Sequence, residues 1–218
     1  MISAKSPETI FTSGATTYTN TPFLPFINYY FRASEEILAA YSSNDLRRKF
    51  YFRGYSAYAP RKMLNTKDGS CSDFFLLRLP EVYLNKAEAL AMLEKTTEAI
   101  ETIQTLREQR VKTGTLEDLQ LSGEELVNYI RNERRLELTF EGQRWFDLRR
   151  YAVCPKWPFQ KEIHHPYYVE TEIKGARVLR KYDEEPEFYV LPLPENEIVL
   201  NGGTLIQNAT REQKSEVM

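Results

Sequence analysis

The sequence predicts a mainly α fold, with a helical core from Pro80 to about Tyr151 set between loop-rich regions and short β-hairpins. Three observations predict it. Apolar residues take a helical period after Pro80. The stretch Ile130–Tyr151, IRNERRLELTFEGQRWFDLRRY, interleaves charges with large apolar side chains, and prolines break the chain on both sides of this block. One domain in three parts is expected: a loop-rich segment with a short helix and strands (1–79), the helices (80–151), and C-terminal loops and hairpins (152–218).

With 218 residues and 42% hydrophobic content, the chain has the means to bury a sizeable core. A net charge of −2, without any block of like charges, argues against nucleic acid as a partner. No stretch approaches the roughly 18 apolar residues of a membrane span, and the first ten residues lack the apolar centre of a secretory signal. Cys71 and Cys154 are too far apart in sequence to make a metal-ligand pair. They are either bonded to each other or, as we expect, two buried free thiols.

In chain order, Glu8 to Phe11 reads as a short strand ending at Gly14, and the proline-broken, ring-rich run after it reads as a long loop. Ser34 caps a helix whose first turn holds Glu35 and Glu36, the acids favoured at a helix N-terminus. The segment RKFYFRGYSAYAPRKM reads as a strand and turn with exposed rings. Pro80 opens a helix at little cost, since the first turn has no intrahelical use for that N–H. Tyr83, Ala87, Leu90 and Ala91 line its face, and after a break at Lys95–Thr97 a second helix shows Ala99, Ile103, Leu106 and Arg110. Ala87 and Ala99, twelve apart, make the two resemble a tetratricopeptide helix pair, which must stack on other helices to cover its apolar faces. Ser122 and Glu125 have capping-box spacing and start the next helix.

That helix carries Glu133, Glu137 and Glu141 in one row, half-buried beside Ile130, Leu136 and Phe140, with arginines three or four residues away. Arginine suits such a place because its planar fork gives a carboxylate two parallel hydrogen bonds. Arg131, Glu133, Arg134, Arg135, Glu137, Glu141, Arg144, Trp145 and Asp147 are therefore read as a structural clasp, with Trp145 buried. Gly142 is expected to break the helix, and Trp145, Phe146 and Leu148 to anchor a short one after it. Beyond Tyr151, Pro155 and Pro158 hold Trp157 on a surface loop, and HHPYYVETEIKGARVLRKY reads as a hairpin turning at Lys174 and Gly175.

The pattern R-x-E-R-R-x-E-L-x-F-E-G-x-R-W-F-D-L-R-R in 131–150 resembles the signature of the SusD/RagB family of nutrient-binding outer-membrane lipoproteins. SEEILAAYSSNDLRRKFYF, with Asp45 and Arg47, and the closing FYVLPLPENEIVLNGGTLIQN resemble it too. The resemblance implies a SusD-like α/α superhelix of tetratricopeptide-like pairs and pairing of Asn201 with Gln207 and Asn208. It also implies that this chain is the C-terminal portion of a longer protein that is lipid-anchored on the outer-membrane surface. The expected function is capture of a nutrient, a glycan first of all, for delivery to a SusC-like TonB-dependent transporter, without catalysis. The alternative is a helical-repeat scaffold binding only protein through the surface around Lys86, Glu94 and Arg107.

No cofactor or metal is expected. His164 and His165 are adjacent and so diverge, and no phosphate loop or nucleophile turn occurs. Arginines beside the clasp acids depress rather than raise a carboxyl pKa, which spoils a general acid. Sugar rings stack on exposed aromatic rings while polar side chains bond their hydroxyls. Tyr18, Asn20, Tyr29, Tyr30, Tyr55 and Trp157 are the residues whose chemistry and position suit that contact.

Overall fold

The computed structural model describes residues 6–13, 33–52, 62, 74–169, 172–208 and 215–216. They fall into two compact units, residues 1–144 and 145–218.

In the first unit the strand expected near Glu8 forms as β1 (Thr9–Ser13) and pairs antiparallel with β2 (Phe74–Arg78). Its register sets Thr9 against Arg78, and the Leu79 N–H donates to the Glu8 carbonyl at 2.7 Å. Helix α1 (Glu35–Ala39) starts as its sequence demands, with Ser34 Oγ accepting from the Ile37 N–H at 3.3 Å. The strand expected next is instead helix α2 (Arg47–Tyr51). Asp45 accounts for the difference: its Oδ1 accepts the Arg47 backbone N–H at 2.9 Å, occupying a donor that a helix start would otherwise leave open. Of the rings expected to be exposed there, Tyr51 and Phe52 are buried in a cluster with Ile37, Leu38, Tyr41 and Leu136, while Phe50 is exposed.

Helix α3 (Leu79–Met92) begins one residue before Pro80 and packs on α4 (Thr96–Arg107) and on α5 (Gly123–Glu137). Leu84, Ala87 and Ala91 bury against this neighbourhood, as do Ala99, Ile103 and Leu106 of α4. Small side chains at 87 and 99 allow the close approach of a helix pair. The buried face of α3 thus uses Leu84, whereas Tyr83 is only half-buried. Arg110, expected on the α4 face, lies three residues past the end of that helix.

Ser122 is extended at the start of α5 but its side chain makes no capping bond, and Gly123 after it takes a left-handed φ of +56°. The two serines therefore part in consequence. Ser34→Ala is expected to cost about 1 kcal/mol and Ser122→Ala less than about 0.5 kcal/mol, a contrast that urea unfolding of both variants measures. Helix α5 ends at Glu137, five residues before Gly142. The turn is closed by two left-handed residues, Phe140 at φ +68° and Gly142 at φ +78°.

Helix α6 (Arg144–Ala152) buries Asp147, Leu148 and Tyr151. Phe146, expected to be an anchor, is 64% exposed, since it lies on the side opposite that buried row. In the second unit β3 (Ile163–Val169) and β4 (Glu172–Leu179) form the expected hairpin. Its register pairs Val169 with Glu172, so the hairpin does not turn at Gly175. Gly175 sits inside β4 opposite Tyr167, and Lys174 is the extra residue of a bulge, a place where a strand glycine is at home. Strand β5 (Ser215–Glu216) adds to β4.

A 3-10 turn at Pro186–Tyr189 and α7 (Glu195–Leu200) follow β4. The closing segment is tied by Gln207, whose side chain accepts from Leu193 N–H at 2.8 Å and donates to Leu193 O at 2.9 Å, and by Asn208, which donates to Leu191 O at 2.6 Å. Asn201 does not pair with them; its amide donates to Glu197 O one turn back, a partner already within reach. Cys154 is a free, half-buried thiol with its sulfur on the Lys156 carbonyl, and Cys71 lies outside the described residues.

Candidate functional site

Glu137, wholly buried at the last turn of α5, is the centre of the clasp. Three guanidiniums converge on its carboxylate. Arg78 Nη1 donates to Oε1 at 2.8 Å, Arg47 Nη1 to Oε2 at 3.1 Å, and Arg110 reaches both oxygens at 3.0 and 3.1 Å. Arg78 then grips Glu141 with two parallel bonds of 2.8 and 2.7 Å, and the Lys62 ammonium pairs with Glu141 from another side. Arg47 holds Asp45 in the same forked manner at 3.0 and 2.6 Å. It also lies 2.6 Å from Glu133, an ion pair without hydrogen-bond alignment. Arg107 approaches Glu133 at 3.5 Å, and Glu8 completes the set on Arg110 at 3.0 Å.

The described network thus sets Glu8, Asp45, Glu133, Glu137 and Glu141 against Arg47, Lys62, Arg78, Arg107 and Arg110, so its charges balance. That balance matters, since an uncompensated buried charge is what the interior tolerates least. Position helps as well. The Glu137 backbone carbonyl at the helix end accepts from Arg78 Nη2 at 2.8 Å and from Lys62 Nζ at 2.5 Å. Cations are favoured at a helix C-terminus because its orphan carbonyls carry partial negative charge. The arginines of α5 itself point to other helices. Arg131 bonds Glu88, Arg134 bonds Asn85 and Glu81, and Arg135 bonds Glu36.

Burial alone would raise the Glu137 pKa, but Arg78, Arg110, Arg47 and Lys62 together hold its carboxyl well below the usual 4.5. Its folded pKa is thus below its unfolded one, and the stability it contributes is complete above pH 4.5 and lost as pH falls through the folded value. Lys62 shifts down for another reason: full burial pushes its amine to about 8 from 10.5, against the pull of Glu141. Between those two values the unfolded chain binds more protons at Lys62 than the folded one, so its contribution to stability rises with pH across that window. Urea midpoints measured from pH 8 to 10 are expected to climb less, or fall more, in Lys62→Met than in the parent chain. Identical slopes would remove Lys62 as the source.

The named residues of α5 all have partners, but Glu133 and Glu137 meet Arg47, Arg78, Arg107 and Arg110 rather than the arginines three or four residues away, and the acids are more deeply buried than the half-burial expected. Glu141 joins them from the turn rather than from the helix row. Asp147 is buried and bonds Arg150, and Arg144 is half-buried. Trp145 is not fully buried as expected but half-buried, stacked on Tyr189 at 5.3 Å between ring centroids and 13° between planes. Glu8, Asp45, Arg47, Lys62, Arg78, Arg107 and Arg110 were not foreseen as clasp members. Arg78 left a signal, a lone charge inside the apolar run FFLLRLP, and Arg110 left one by falling in register with the buried face of α4. Lys62 left none.

Of the predicted ligand-contact residues, Tyr18, Asn20, Tyr29, Tyr30 and Tyr55 lie outside the described residues. Trp157 is half-buried on a loop that folds back to α6 through a bond from the Phe159 N–H to the Tyr151 carbonyl at 3.0 Å. It takes a left-handed φ of +57°, with the Lys156 ammonium over its ring at 4.2 Å from the centroid. In the helix surface offered by the scaffold reading, Lys86 and Glu94 are exposed, while Arg107 is drawn inward by Glu133 and Tyr129. No helix among the described residues is long and apolar enough to cross a membrane.

Comparison with known proteins accords with this geometry. The sequence profile of the SusD family matches residues 7–210. SusD-like protein P2 of Formosa agariphila is 31% identical over 160 residues, covering 71% of this chain and 29% of the relative. SusD-like protein P38 of the same organism is 44% identical over 85 residues, covering 36% of this chain and 17% of the relative. A crystal structure of a SusD superfamily protein from Bacteroides vulgatus superposes with a TM-score of 0.65 at 21% identity, covering 94% of this chain and 47% of that one, and so shows the shared fold. The chain spans less than half the length of each of these three proteins where they match. A profile match over nearly all of the sequence, set on a mainly helical fold, leads to one conclusion: the chain belongs to the SusD family.

Proposed function

We propose that this chain is part of a cell-surface protein, lipid-anchored at the outer membrane, that captures a glycan and delivers it to a SusC-like TonB-dependent transporter without chemical turnover. The family match over residues 7–210 is the observation that carries this reading. The buried charges favour it over catalysis. Glu137 is held ionised by three arginines at the centre of the clasp, whereas a general acid needs a raised pKa and access to substrate. The clasp serves capture by fixing the scaffold from which loops are presented, so that little ordering entropy is left for the binding step.

Isothermal calorimetry against a panel of oligosaccharides tests the reading directly. Saturable binding with no new reducing ends is the expected result. Heat from none of a broad glycan panel, or release of reducing ends by the pure protein, would overturn it. For the transporter, affinity purification from outer membranes is expected to recover a large barrel protein, and recovery of a water-soluble partner alone would favour the scaffold reading.

A further inference from the structure

We propose that Trp145 and Tyr189, with Tyr182 at their edge, form a subsite for one pyranose ring of an oligosaccharide; the proposal rests on the glycan-binding reading above and gives it a place in the second unit. Tyr189 is the fixed element. It is 3% exposed and its phenol donates to the Arg180 carbonyl at 2.7 Å, so its ring has little freedom. Trp145 stacks on it at 13°, which covers one face of the indole, and the side chain keeps partial exposure to solvent. Tyr182, also half-buried, meets Tyr189 edge-on at 5.2 Å and 69°.

An indole backed by a buried ring is what a sugar face needs. The C–H groups on one side of a pyranose carry partial positive charge and lie against the negative face of an aromatic ring. Because Tyr189 already sets the indole plane, stacking costs little further side-chain order. Polar residues flank Tyr182 in the chain. Tyr182 lies in a turn in which the Lys181 carbonyl accepts the N–H groups of Glu184 and Glu185 at 3.2 Å each, and Lys181 and Asp183 on either side of it are exposed. A phenol, a carboxylate and an ammonium can between them donate to and accept from sugar hydroxyls. The stack also accounts for why α6 leaves its largest side chain partly in solvent while Leu148 and Tyr151 of the same helix are buried.

The chain has two tryptophans, Trp145 and Trp157, so in Trp157→Phe the indole emission comes from Trp145 alone. Titration of this variant with maltohexaose, cellohexaose and xylohexaose is expected to give a saturable change in emission with at least one of them. For that sugar, calorimetry on Trp145→Ala and on Tyr182→Ala is expected to show about fivefold to tenfold weaker binding, the scale of one aromatic contact. Tyr182→Ala keeps the test sound if loss of Trp145 disturbs folding. A hexaose that binds the parent chain yet leaves Trp145 emission and the Tyr182→Ala affinity unchanged would overturn the subsite while sparing the glycan reading. No calorimetric binding of any of the three would overturn the subsite as drawn, and the broader panel then decides the reading.

Discussion

Replacing Glu137 with alanine is expected to lower the unfolding free energy by about 3–5 kcal/mol, the usual consequence of removing one partner from a buried ionic group. The reason is what remains rather than what is lost. Arg47, Arg78 and Arg110 would stay in the interior with one carboxylate fewer, and water has no ready access to a site where Glu137 is 0% and Arg78 1% exposed. For a domain whose whole stability is about 5–15 kcal/mol, a change of this size is a large share. It corresponds to a fall in melting temperature on the order of 10 °C for a chain of this length. Glu137→Gln keeps the shape and loses the charge, so it separates the electrostatic part from any cavity. A loss below about 1 kcal/mol in both variants, measured by urea unfolding, would be incompatible with the clasp as the organising contact.

Arg78→Ala is expected to cost a similar amount, about 3–5 kcal/mol, because this one side chain serves Glu137, Glu141 and the carbonyl that ends α5. Arg78→Lys keeps the charge but cannot present two parallel N–H groups, so roughly 1–3 kcal/mol should still be lost. The double variant Arg78→Ala with Glu137→Ala is the sharper measurement. Residues in one network do not add, and the pair should cost less than the sum of the single variants by about 0.5–3 kcal/mol. Strict additivity would mean that the 2.8 Å contact between them contributes nothing. None of this makes the clasp a better stabiliser than a packed apolar core of the same volume, which often equals or exceeds buried ions. What the ions add is a defined set of partners, and they specify which segments meet.

The acid side of the pH profile follows from the same residue. Below pH 4.5 the unfolded chain takes up a proton at Glu137 that the folded chain resists, so stability is expected to fall steadily toward low pH. Glu137→Gln should flatten that fall in a urea series from pH 6 to 3. An unchanged slope would assign the acid sensitivity to other carboxylates.

Local order was legible wherever a short-range rule acted alone. Ser34 with its acidic first turn, the helices of the 80–137 block and the β3–β4 pairing are all consequences of residues within a turn or a strand of one another. Local rules misled where two of them competed. At residues 47–51 aromatic content suggested a strand, yet Asp45 secured a helix start, and at 122–123 the serine with capping-box spacing makes no cap bond beside a left-handed glycine.

By itself, then, the sequence determined the helical core, the glutamate row of α5 and the need for buried cations to meet it. Only the tertiary structure decided which cations those are. Lys62, Arg78 and Arg110 come from segments 75, 59 and 27 residues from Glu137, and Glu8 from 102 residues before Arg110. The physical reason is one of range. A helix period or a cap is set by neighbours a few residues apart, whereas an ion pair is set by distance in space, and charge identity alone leaves every lysine and arginine of the chain an equal candidate until the backbone brings some of them within 3 Å.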